Sequence, residues 1–314
     1  MVGIIILNYN NWEDTINCIE SVEKFNTAEV KYIVIDNGST RAGTVEALDK
    51  YMTDTFTEKY QKIVEGDNTG VLPYMTFLVS QTNDGYAKGN NKGLRLCYED
   101  PEIDELLILN NDILFIQDII PSLVNKKKEI DNCGIISPIL YGRDKKVIDY
   151  NCAHMSVNPW VLIHAYLFFY RDFLGVQSKE SKRRLIIKGK PELLKKDKIE
   201  IELPSGSCMM MSKALMQEIG GFDPNTFLFY EEDILHKKLS AQGLKNYLIT
   251  SCECIHLGAC STSKTPSAFA LTKQFESSIY YLENYCKLSR IQKALLSIGK
   301  KLFRLKLKMI RILK

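Results

Sequence analysis

The sequence predicts an α/β protein whose N-terminal part is a doubly wound, mostly parallel sheet flanked by helices. Four apolar runs of strand length occur before residue 112, and each run ends on small polar residues. Segments whose apolar residues recur at helical spacing follow these runs along the chain. Strands that alternate with helices are typical of parallel sheets covered on both faces. We expect this sheet to occupy about the first 140 residues.

The elements can be assigned in chain order. "VGIIIL" (2–7) is continuous, apolar and β-branched, as in a strand buried on both faces. The segment that follows places Ile16, Ile19, Val22 and Phe25 on one helical face. The later predicted elements are strands "KYIVID" (31–36), "MTFLVS" (75–80) and "ELLILNND" (105–112), a helix at 44–52, and a Gly/Asn-rich turn entering a helix from residue 83.

Composition limits the class of protein. The chain has 314 residues, of which 45% are hydrophobic and 25% charged, as in an ordinary globular protein of one large domain or one domain plus an appendage. The net charge of +3 is too small to suggest nucleic-acid binding. The nine scattered cysteines and the absence of a signal-peptide pattern predict free thiols in the cytoplasm. No apolar run reaches the roughly 18 residues of a spanning helix.

The ends of the four predicted strands are all polar. In open α/β sheets, ligands bind outside the carboxyl ends of the strands. Any single one of these ends is explained as a turn, but four on one sheet edge predict a binding site. The chain has no GxGxxG, P-loop or GxSxG motif, which argues against a dinucleotide fold, a P-loop protein and a hydrolase. The four ends are Asn8-Tyr9-Asn10, Asp36-Asn37-Gly38-Ser39, Asn83-Asp84-Gly85 and Asn110-Asn111-Asp112.

An ordered set of motifs resembles the family 2 glycosyltransferases of the GT-A fold, especially bacterial rhamnosyl- and galactosyltransferase-like members. The motifs are "IIILNYNNWEDTINCIESV", "YIVIDNGST", "QTNDGYAKGNNKGL", "LLILNND", "LPSGSCMMMSKALMQEIGGFDPNTFLFYEEDILHKKLSAQG" and "CIHLGA". The resemblance covers residues 1–260. It implies a donor-binding half at about 1–140 and an acceptor and catalytic half at about 141–260. A helical, basic region at 261–314 lies outside it.

The resemblance implies a nucleoside-diphosphate sugar, UDP- or dTDP-linked, as the donor. An aromatic ring can stack on a base, and glycine allows close approach of the backbone to a diphosphate. Lys88 and Lys92 would add charge near the diphosphate, or they are ordinary solvated helix lysines. The implied donor-binding residues are Asn8, Tyr9, Asn10, Asp36, Asn37, Asn83, Gly85, Asn91 and Asn111.

The "NND" sequence resembles the metal motif of the family. It implies a divalent cation, Mn²⁺ or Mg²⁺, with Asp112 and His256 as ligands. Asn110 departs from the family pattern, in which this position is an acid. Three other interpretations remain: Asp112 as the N-cap of a helix, His256 as a satisfied core histidine, and a zinc site formed by Cys252, Cys254, His256 and Cys260.

The acidic cluster at 231–233 carries the expected acid–base chemistry. Inverting transfer needs a carboxylate to take a proton from the acceptor hydroxyl. The resemblance places Glu232 at this position, with Asp233 as the competitor, although acids at a helix N-terminus also suit the helix dipole. Two rival functions are a catalytically silent nucleotide- or glycan-binding protein and, far less favoured, a sugar-nucleotide pyrophosphorylase.

The last 27 residues (288–314) contain nine basic residues and no acid, with apolar residues between them. This pattern predicts a basic amphipathic helix on an anionic membrane surface, at the inner face of the cell membrane. A helix packed on the domain or in a homodimer is the alternative. With the resemblance, the helix implies a glycan acceptor that is lipid-linked, in synthesis of a cell-surface polysaccharide such as capsule or O-antigen. The segment 142–203 is expected to be partly loop and to shape the acceptor site.

Overall fold

The computed structural model describes residues 1–67, 70–168, 185–260 and 268–312. Expectations for the basic run "SKESKRR" therefore lie outside the described residues. The strands are β1 (Val2–Asn8), β2 (Val30–Asn37), β3 (Tyr60–Val64), β4 (Met75–Ser80), β5 (Glu105–Asn110), β6 (Ile113–Phe115), β7 (Cys133–Tyr141), β8 (Ala153–His154), β9 (Lys198–Ile201), β10 (Leu203–Pro204), β11 (Cys208–Ser212) and β12 (Lys245–His256). The helices are α1 (Trp12–Phe25), α2 (Thr44–Phe56), α3 (Gly85–Glu99), α4 (Ile120–Lys128), α5 (Pro159–Leu167), α6 (Ile186–Gly189), α7 (Lys213–Glu218), α8 (Glu231–Ala241), α9 (Ala268–Tyr285) and α10 (Arg290–Ile312).

One ten-stranded sheet organises the chain. Its order is β3-β4-β2-β1-β5-β11-β7-β12-β6, with β9 paired to β12. The β3, β4, β2, β1 and β5 strands run parallel, as the sequence predicts for the last four, and β11 then pairs antiparallel with β5. The predicted mostly parallel sheet flanked by helices is confirmed, while the edge strand β3 and the direction of β11 were not predicted.

The strand register aligns the polar strand ends on one edge. Asn8 lies opposite Asp36 in the β1–β2 pair, and Leu7 lies opposite Asn110 in the β1–β5 pair. Residue 112 is followed by β6 instead of a helix, so the interpretation of Asp112 as a helix N-cap is wrong. The carboxyl ends of β1, β2 and β5 therefore form the floor of one site.

Helices cover both faces of the sheet. Buried residues of α1, α2 and α4 pack on one face, and buried residues of α3, α7 and α8 pack on the other. The run Met209–Met211 is fully buried in β11. Because both faces are covered, the β1, β2 and β5 sequences are apolar throughout instead of alternating.

A separate cluster of apolar side chains joins α5, α9 and α10. It contains Ile163 and Tyr166 from α5, Phe275 from α9, and Phe303 and Leu307 from α10. Helix α5 comes from the predicted acceptor half, so the C-terminal helices are packed partly on that half. Within the described ranges, every helix is too short or too polar to cross a membrane.

Candidate active site

A buried hydrogen-bond network joins the ends of β1, β2 and β5. The Asn8 amide donates to Asp36 Oδ1 (2.7 Å), and Ser39 donates from both its backbone N–H and its hydroxyl to Asp36. The carbonyl oxygen of the Asn8 side chain accepts a bond from the Thr15 hydroxyl at 3.0 Å, and the Asn111 amide donates to that hydroxyl at 3.0 Å. Asn8 and Asp36 are almost fully buried. The network therefore holds the strand ends together and shapes the loops above them.

Tyr9 and Asn10 lie on the open side of this network. The Tyr9 ring is 43% exposed, so one face is available for stacking. Asn10 has a left-handed φ of 59°, and its side-chain oxygen accepts the backbone N–H groups of Thr40 and Arg41 at 2.7 Å each. Asn10 thus fixes the loop that follows β2 beside the tyrosine ring.

A second network links β2 to the start of α3. The Asn37 amide donates to Asn83 Oδ1 and to the Gly85 carbonyl, both at 3.1 Å. Gly85 has φ 81°, and a Cβ at this position would collide with the carbonyl oxygen of Phe227. Glycine is required here for both conformation and space. The backbone at the N-terminus of α3 is thereby held against the turn that carries Phe227.

Not all of the predicted donor-binding residues belong to these two networks. The Asn91 side-chain amide donates a hydrogen bond to the Phe222 carbonyl, and the Asn91 side-chain oxygen accepts one from the Phe222 backbone N–H. Lys92 is buried and paired with Asp84 at 2.6 Å and Glu65 at 3.0 Å, whereas Lys88 is exposed. The charge of Lys92 is thus already compensated within the protein.

Asp112 and His256, 144 residues apart in sequence, meet at the end of β5 and β12. His256 Nε2 lies 3.3 Å from Asp112 Oδ2, and His256 Nδ1 lies 2.9 Å from Asp149 Oδ2. Burial alone would lower the pKa of His256, but its two carboxylate partners outweigh that effect and raise the pKa to about 9. Burial would likewise raise the pKa of Asp149, but its bond to His256 holds that pKa below the ordinary value.

Asp112 and His256 could both ligate a hard divalent cation, which on binding would displace the proton from His256. Asp112 Oδ1 is buried and has no hydrogen-bond partner among the described residues. Gly258 lets this carboxylate approach the backbone closely, since a Cβ there would collide with Asp112 Oδ2. In the part of the chain that the structure describes, no group of three or more His, Cys, Asp or Glu residues is arranged to hold a metal ion alone. The remaining ligands would have to come from a bound molecule or from water.

The zinc interpretation gains nothing from the structure. Cys252 and Cys254 are buried within β12 and belong to the main apolar core. Burial raises the pKa of both thiols. The side chain of Cys260 lies outside the described residues. Buried, protonated thiols in an apolar core are typical of structural cysteines.

The turn Ser205–Ser207 connects the Asp112 region to the acidic cluster. The Ser207 carbonyl accepts a hydrogen bond from the Asn110 backbone N–H at 2.8 Å, and the Ser207 hydroxyl oxygen lies 3.5 Å from His256 Nε2. The backbone N–H of Gly206 donates to Glu232 Oε1 at 2.9 Å. Tyr86 from α3 donates its hydroxyl to the Gly206 carbonyl at 2.6 Å. One short turn therefore positions Glu232 relative to Asp112 and His256.

The acidic cluster begins α8 after a strained backbone. Phe229 and Tyr230 both have left-handed φ angles, 73° and 72°. Two consecutive non-glycine residues in this region are rare and are typical of functional sites. Burial raises the pKa of Glu232. Burial, together with the nearby charge of Glu232, raises the pKa of Glu231 to about 8. Glu231 points into the protein, where its Oε1 has no partner among the described residues.

Glu232 and Asp233 face a cavity of about 240 Å³. This cavity is large enough for part of a sugar and opens beside the Ser205–Ser207 turn. A carboxylate with a raised pKa in a cavity, as Glu232 is, is typical of acid–base catalysts. The other lining residues are Asn151, His154, Leu203, Pro204, Ser205, Phe229, Tyr230 and Gln274.

Sequence reasoning missed Asp149 and Tyr86. Asp149 lies in a segment whose sequence has no recognisable motif, and only the fold brings it to His256. Tyr86 is part of a motif that was interpreted through its glycines and asparagines. Both residues hold other site residues in position.

The chain belongs to glycosyl transferase family 2, because the profile of that family matches residues 3–220. The family suggested by the sequence motifs is thereby confirmed.

Curated relatives have related names. The low-salt glycan biosynthesis hexosyltransferase Agl10 of Haloferax volcanii is 25% identical over 231 residues, which are 74% of this chain and 59% of that protein. The chain thus spans less than two thirds of the length of this relative. The N-acetylglucosaminyl-diphospho-decaprenol L-rhamnosyltransferase of Mycobacterium tuberculosis is 21% identical over 268 residues, 82% of this chain and 76% of that protein.

A solved structure confirms the GT-A fold. The crystal structure of GalNAc-T7 with UDP, GalNAc and Mn²⁺ matches with a TM-score of 0.61 and 13% sequence identity. The match covers 90% of this chain and 48% of the other chain. At this identity the likeness concerns the fold alone.

Proposed function

We propose that the chain is an inverting glycosyltransferase that moves a sugar from a UDP- or dTDP-sugar to a lipid-linked glycan acceptor. The observation that carries the proposal is the turn Ser205–Ser207. It bonds Glu232 on one side and contacts His256, and through it Asp112, on the other. The proposed base therefore bonds to the same short turn that contacts one proposed cation ligand, His256, and the other ligand, Asp112, contacts His256.

Glu232 is the proposed base. Its carboxylate lines the cavity beside the Ser205–Ser207 turn, and burial raises its pKa, which makes the ionised carboxylate a stronger base. In a single displacement the acceptor oxygen forms a bond to the anomeric carbon while the bond to the diphosphate oxygen breaks. The acceptor hydroxyl proton goes to Glu232. Asp233, which faces the same cavity, is the neighbouring carboxylate that the test must exclude.

Asp112 and His256 are the proposed protein ligands of a divalent cation, Mn²⁺ or Mg²⁺. A bound cation would offset the negative charge that develops on the departing diphosphate. The orphaned Asp112 Oδ1 supports this assignment. The GalNAc-T7 structure was determined with Mn²⁺, which supports a cation in this fold. Asp149 holds the other side of His256 and directs its Nε2 toward Asp112.

The nucleotide is proposed to lie along the strand ends, with its base against the exposed ring of Tyr9. The loops built by Asn8, Asn10 and Asp36 surround this position, and Asn37, Asn83 and Gly85 hold the start of α3. Asn111 completes the floor. Backbone amides at the N-terminus of α3 favour an anionic group.

A lipid-linked acceptor and a peripheral membrane position are supported by α10. This helix has a second apolar face, opposite the packed one, which consists of Ile291, Ile298, Leu302, Leu305 and Met309, each at least 36% exposed. Lys301 and Lys308 border this face and are exposed. An apolar face bordered by basic residues suits an anionic membrane surface. The acceptor named for the Mycobacterium tuberculosis relative is a diphospho-decaprenol, which agrees with this proposal.

A donor screen tests the proposal. The protein is incubated with a panel of UDP-, dTDP- and GDP-sugars in Mn²⁺, Mg²⁺ or EDTA, and released nucleoside diphosphate is measured. We expect cation-dependent release from one donor. Asp112→Asn should reduce it to background, while Asp131→Asn, which makes the same change at an exposed acid, should leave it unchanged.

The same samples distinguish an active transferase from a catalytically silent binding protein. Thermal shift with each nucleotide reports binding without turnover. Binding of one nucleotide without release of nucleoside diphosphate, even with added polyprenyl-linked or free glycan acceptors, would favour the silent binding protein. The residue that supports this alternative is Asn110, which replaces an acid of the metal motif. Release that is equal in EDTA and Mn²⁺ would contradict the proposed role of Asp112 and His256.

A further inference from the structure

A groove between α9 and α10 forms a second cavity outside the candidate active site. Its volume is about 470 Å³. The floor is apolar and consists of the buried side chains Phe275, Ile279 and Leu307. The rim is charged, with Lys300, Arg304 and Lys308 from α10 and Glu276 and Glu283 from α9. Such a lining suits a ligand that is both apolar and ionic.

The charges of the rim leave a positive surplus. Both acids already have lysine partners, since Lys300 lies 2.6 Å from Glu283 and Lys273 lies 2.9 Å from Glu276. These contacts compensate the negative charge on the α9 side of the groove. A ligand in the groove would therefore meet the cations of the α10 side without facing a bare carboxylate.

Arg304 and Lys308 are the cations that remain. They lie one helical turn apart on α10, are exposed, and form no ion pair with any residue in the described ranges. Residues four apart on a helix are neighbours, so the two side chains can act on one ligand group. A guanidinium beside an ammonium is suited to the oxygens of a phosphate.

The groove lies next to the candidate acceptor cavity. Helix α9 contributes Gln274 to the cavity of Glu232 and contributes the next two residues, Phe275 and Glu276, to the groove. Adjacent residues of a helix point to neighbouring faces of it. One molecule with a sugar at one end and a phosphate and hydrocarbon further along could therefore contact both sides of α9.

The exposed apolar face of α10 fixes how the groove would meet a bilayer. Leu305 and Met309 on that face flank Arg304 and Lys308 in sequence. If the apolar face enters the membrane, these two cations lie at the level of the lipid phosphates. The rim of the groove would then lie at the level of the headgroups, with its apolar floor on the packed, protein side of α10.

We propose that this groove binds the phosphate and the adjoining hydrocarbon of a lipid-linked acceptor, with Arg304 and Lys308 on the phosphate and Phe275, Ile279 and Leu307 on the chain. The inference rests on the proposed transferase function and adds the site that holds the lipid end of the acceptor. Inorganic phosphate leaves the apolar floor uncovered, and an alcohol leaves the cations without a partner. The favoured ligand is therefore an anionic amphiphile.

Calorimetric titration with farnesyl phosphate, below its critical micelle concentration, tests the groove on the full-length protein. Farnesol and inorganic phosphate are titrated in parallel. The variant is Arg304→Glu with Lys308→Glu. The control is Arg290→Glu with Lys301→Glu, which makes the same change in charge and residue type on the same helix outside the groove. Melting temperatures establish that both variants fold.

The parent protein should bind farnesyl phosphate more tightly than either reference compound. The groove variant should lose about tenfold or more in affinity, whereas the control should stay within about twofold. Equal losses in both variants, unchanged affinity in the groove variant, no binding by the parent, or equal binding of farnesol or inorganic phosphate would each overturn the proposal.

Nucleoside diphosphate release without acceptor separates this inference from the proposed function. The groove variant should release diphosphate from the donor at the parental rate, since Arg304 and Lys308 lie outside the donor site. If the parent protein releases none either alone or with added glycan acceptors, the proposed function fails, and the titration still decides whether the groove binds an anionic amphiphile.

Discussion

Replacement of Glu232 by glutamine is the most informative change in the candidate site. In the parent protein, the Gly206 N–H donates to the Glu232 carboxylate at 2.9 Å. The glutamine amide keeps an oxygen that can accept this hydrogen bond, so the Ser205–Ser207 turn should stay in place. Burial already disfavours the charged carboxylate and raises its pKa, so the neutral amide should not reduce stability by more than about 1 kcal/mol. The amide cannot accept the acceptor proton. We therefore expect sugar transfer to fall by about 10²- to 10⁴-fold, the usual contribution of general base catalysis.

The assay measures the initial transfer rate at saturating donor for the parent, Glu232→Gln, Asp233→Asn and the surface control Glu218→Gln. The parental rate should rise with pH as Glu232 ionises, and this limb should vanish from the residual rate of Glu232→Gln. A Glu232→Gln protein with near-parental transfer, or an Asp233→Asn protein with the larger loss, would refute the assignment of the base.

Three further predictions concern stability and cation binding. The pKa of Glu231 is raised from 4.5 to about 8, so its folded-state penalty is absent below about pH 4.5 and grows as pH rises toward 8. In urea unfolding, Glu231→Gln should therefore be more stable than the parent at pH 8.5, by an amount on the order of a few kcal/mol at most. The two proteins should differ little at pH 4.5. Equal stability at both pH values would contradict this prediction. Asp149→Asn should weaken Mn²⁺ binding in the presence of nucleotide by about 10- to 100-fold, because His256 loses the carboxylate that orients it; unchanged Mn²⁺ affinity by electron paramagnetic resonance would assign Asp149 a purely structural role. Gly85→Ala should lower the melting temperature clearly, since its Cβ would collide with the Phe227 carbonyl at a left-handed φ, whereas Ala at the open Gly43 should cost less.

The parallel half of the sheet was predictable because its signals are local. The apolar runs of β1, β2 and β5 stop where Asn8, Asp36 and Asn110 begin, and the carboxyl ends of parallel strands meet at one edge. The edge strand β3 lacked such a signal, because its exposed Gln61 and Lys62 interrupt the apolar pattern.

The partners of the site residues were less predictable. His256 lies 107 residues from Asp149, and nothing in the segment around Asp149 indicates that it returns to the end of β12. The left-handed backbone of Phe229 and Tyr230 likewise has no sequence signal such as glycine at these positions. Such features depend on pairings between distant segments, which periodicity along the chain does not contain.

The C-terminal helix shows a different limit. Its sequence contains two apolar faces, and sequence alone does not say which face the protein covers. The structure packs Leu296, Phe303 and Leu307 inward and leaves Ile298 and Leu305 exposed. The predicted basic amphipathic helix therefore packs on the domain and still presents an apolar face, and its binding to a membrane stays a prediction.

The anomeric configuration of the product tests the central claim most directly. With the donor that the release screen selects, the product is followed from the first turnovers by proton NMR, before any spontaneous change of configuration. A single displacement assisted by Glu232 predicts that the new glycosidic bond has the configuration opposite to that of the donor sugar. A product with the donor's own configuration would contradict direct attack by the acceptor and, with it, the role of Glu232 as its base.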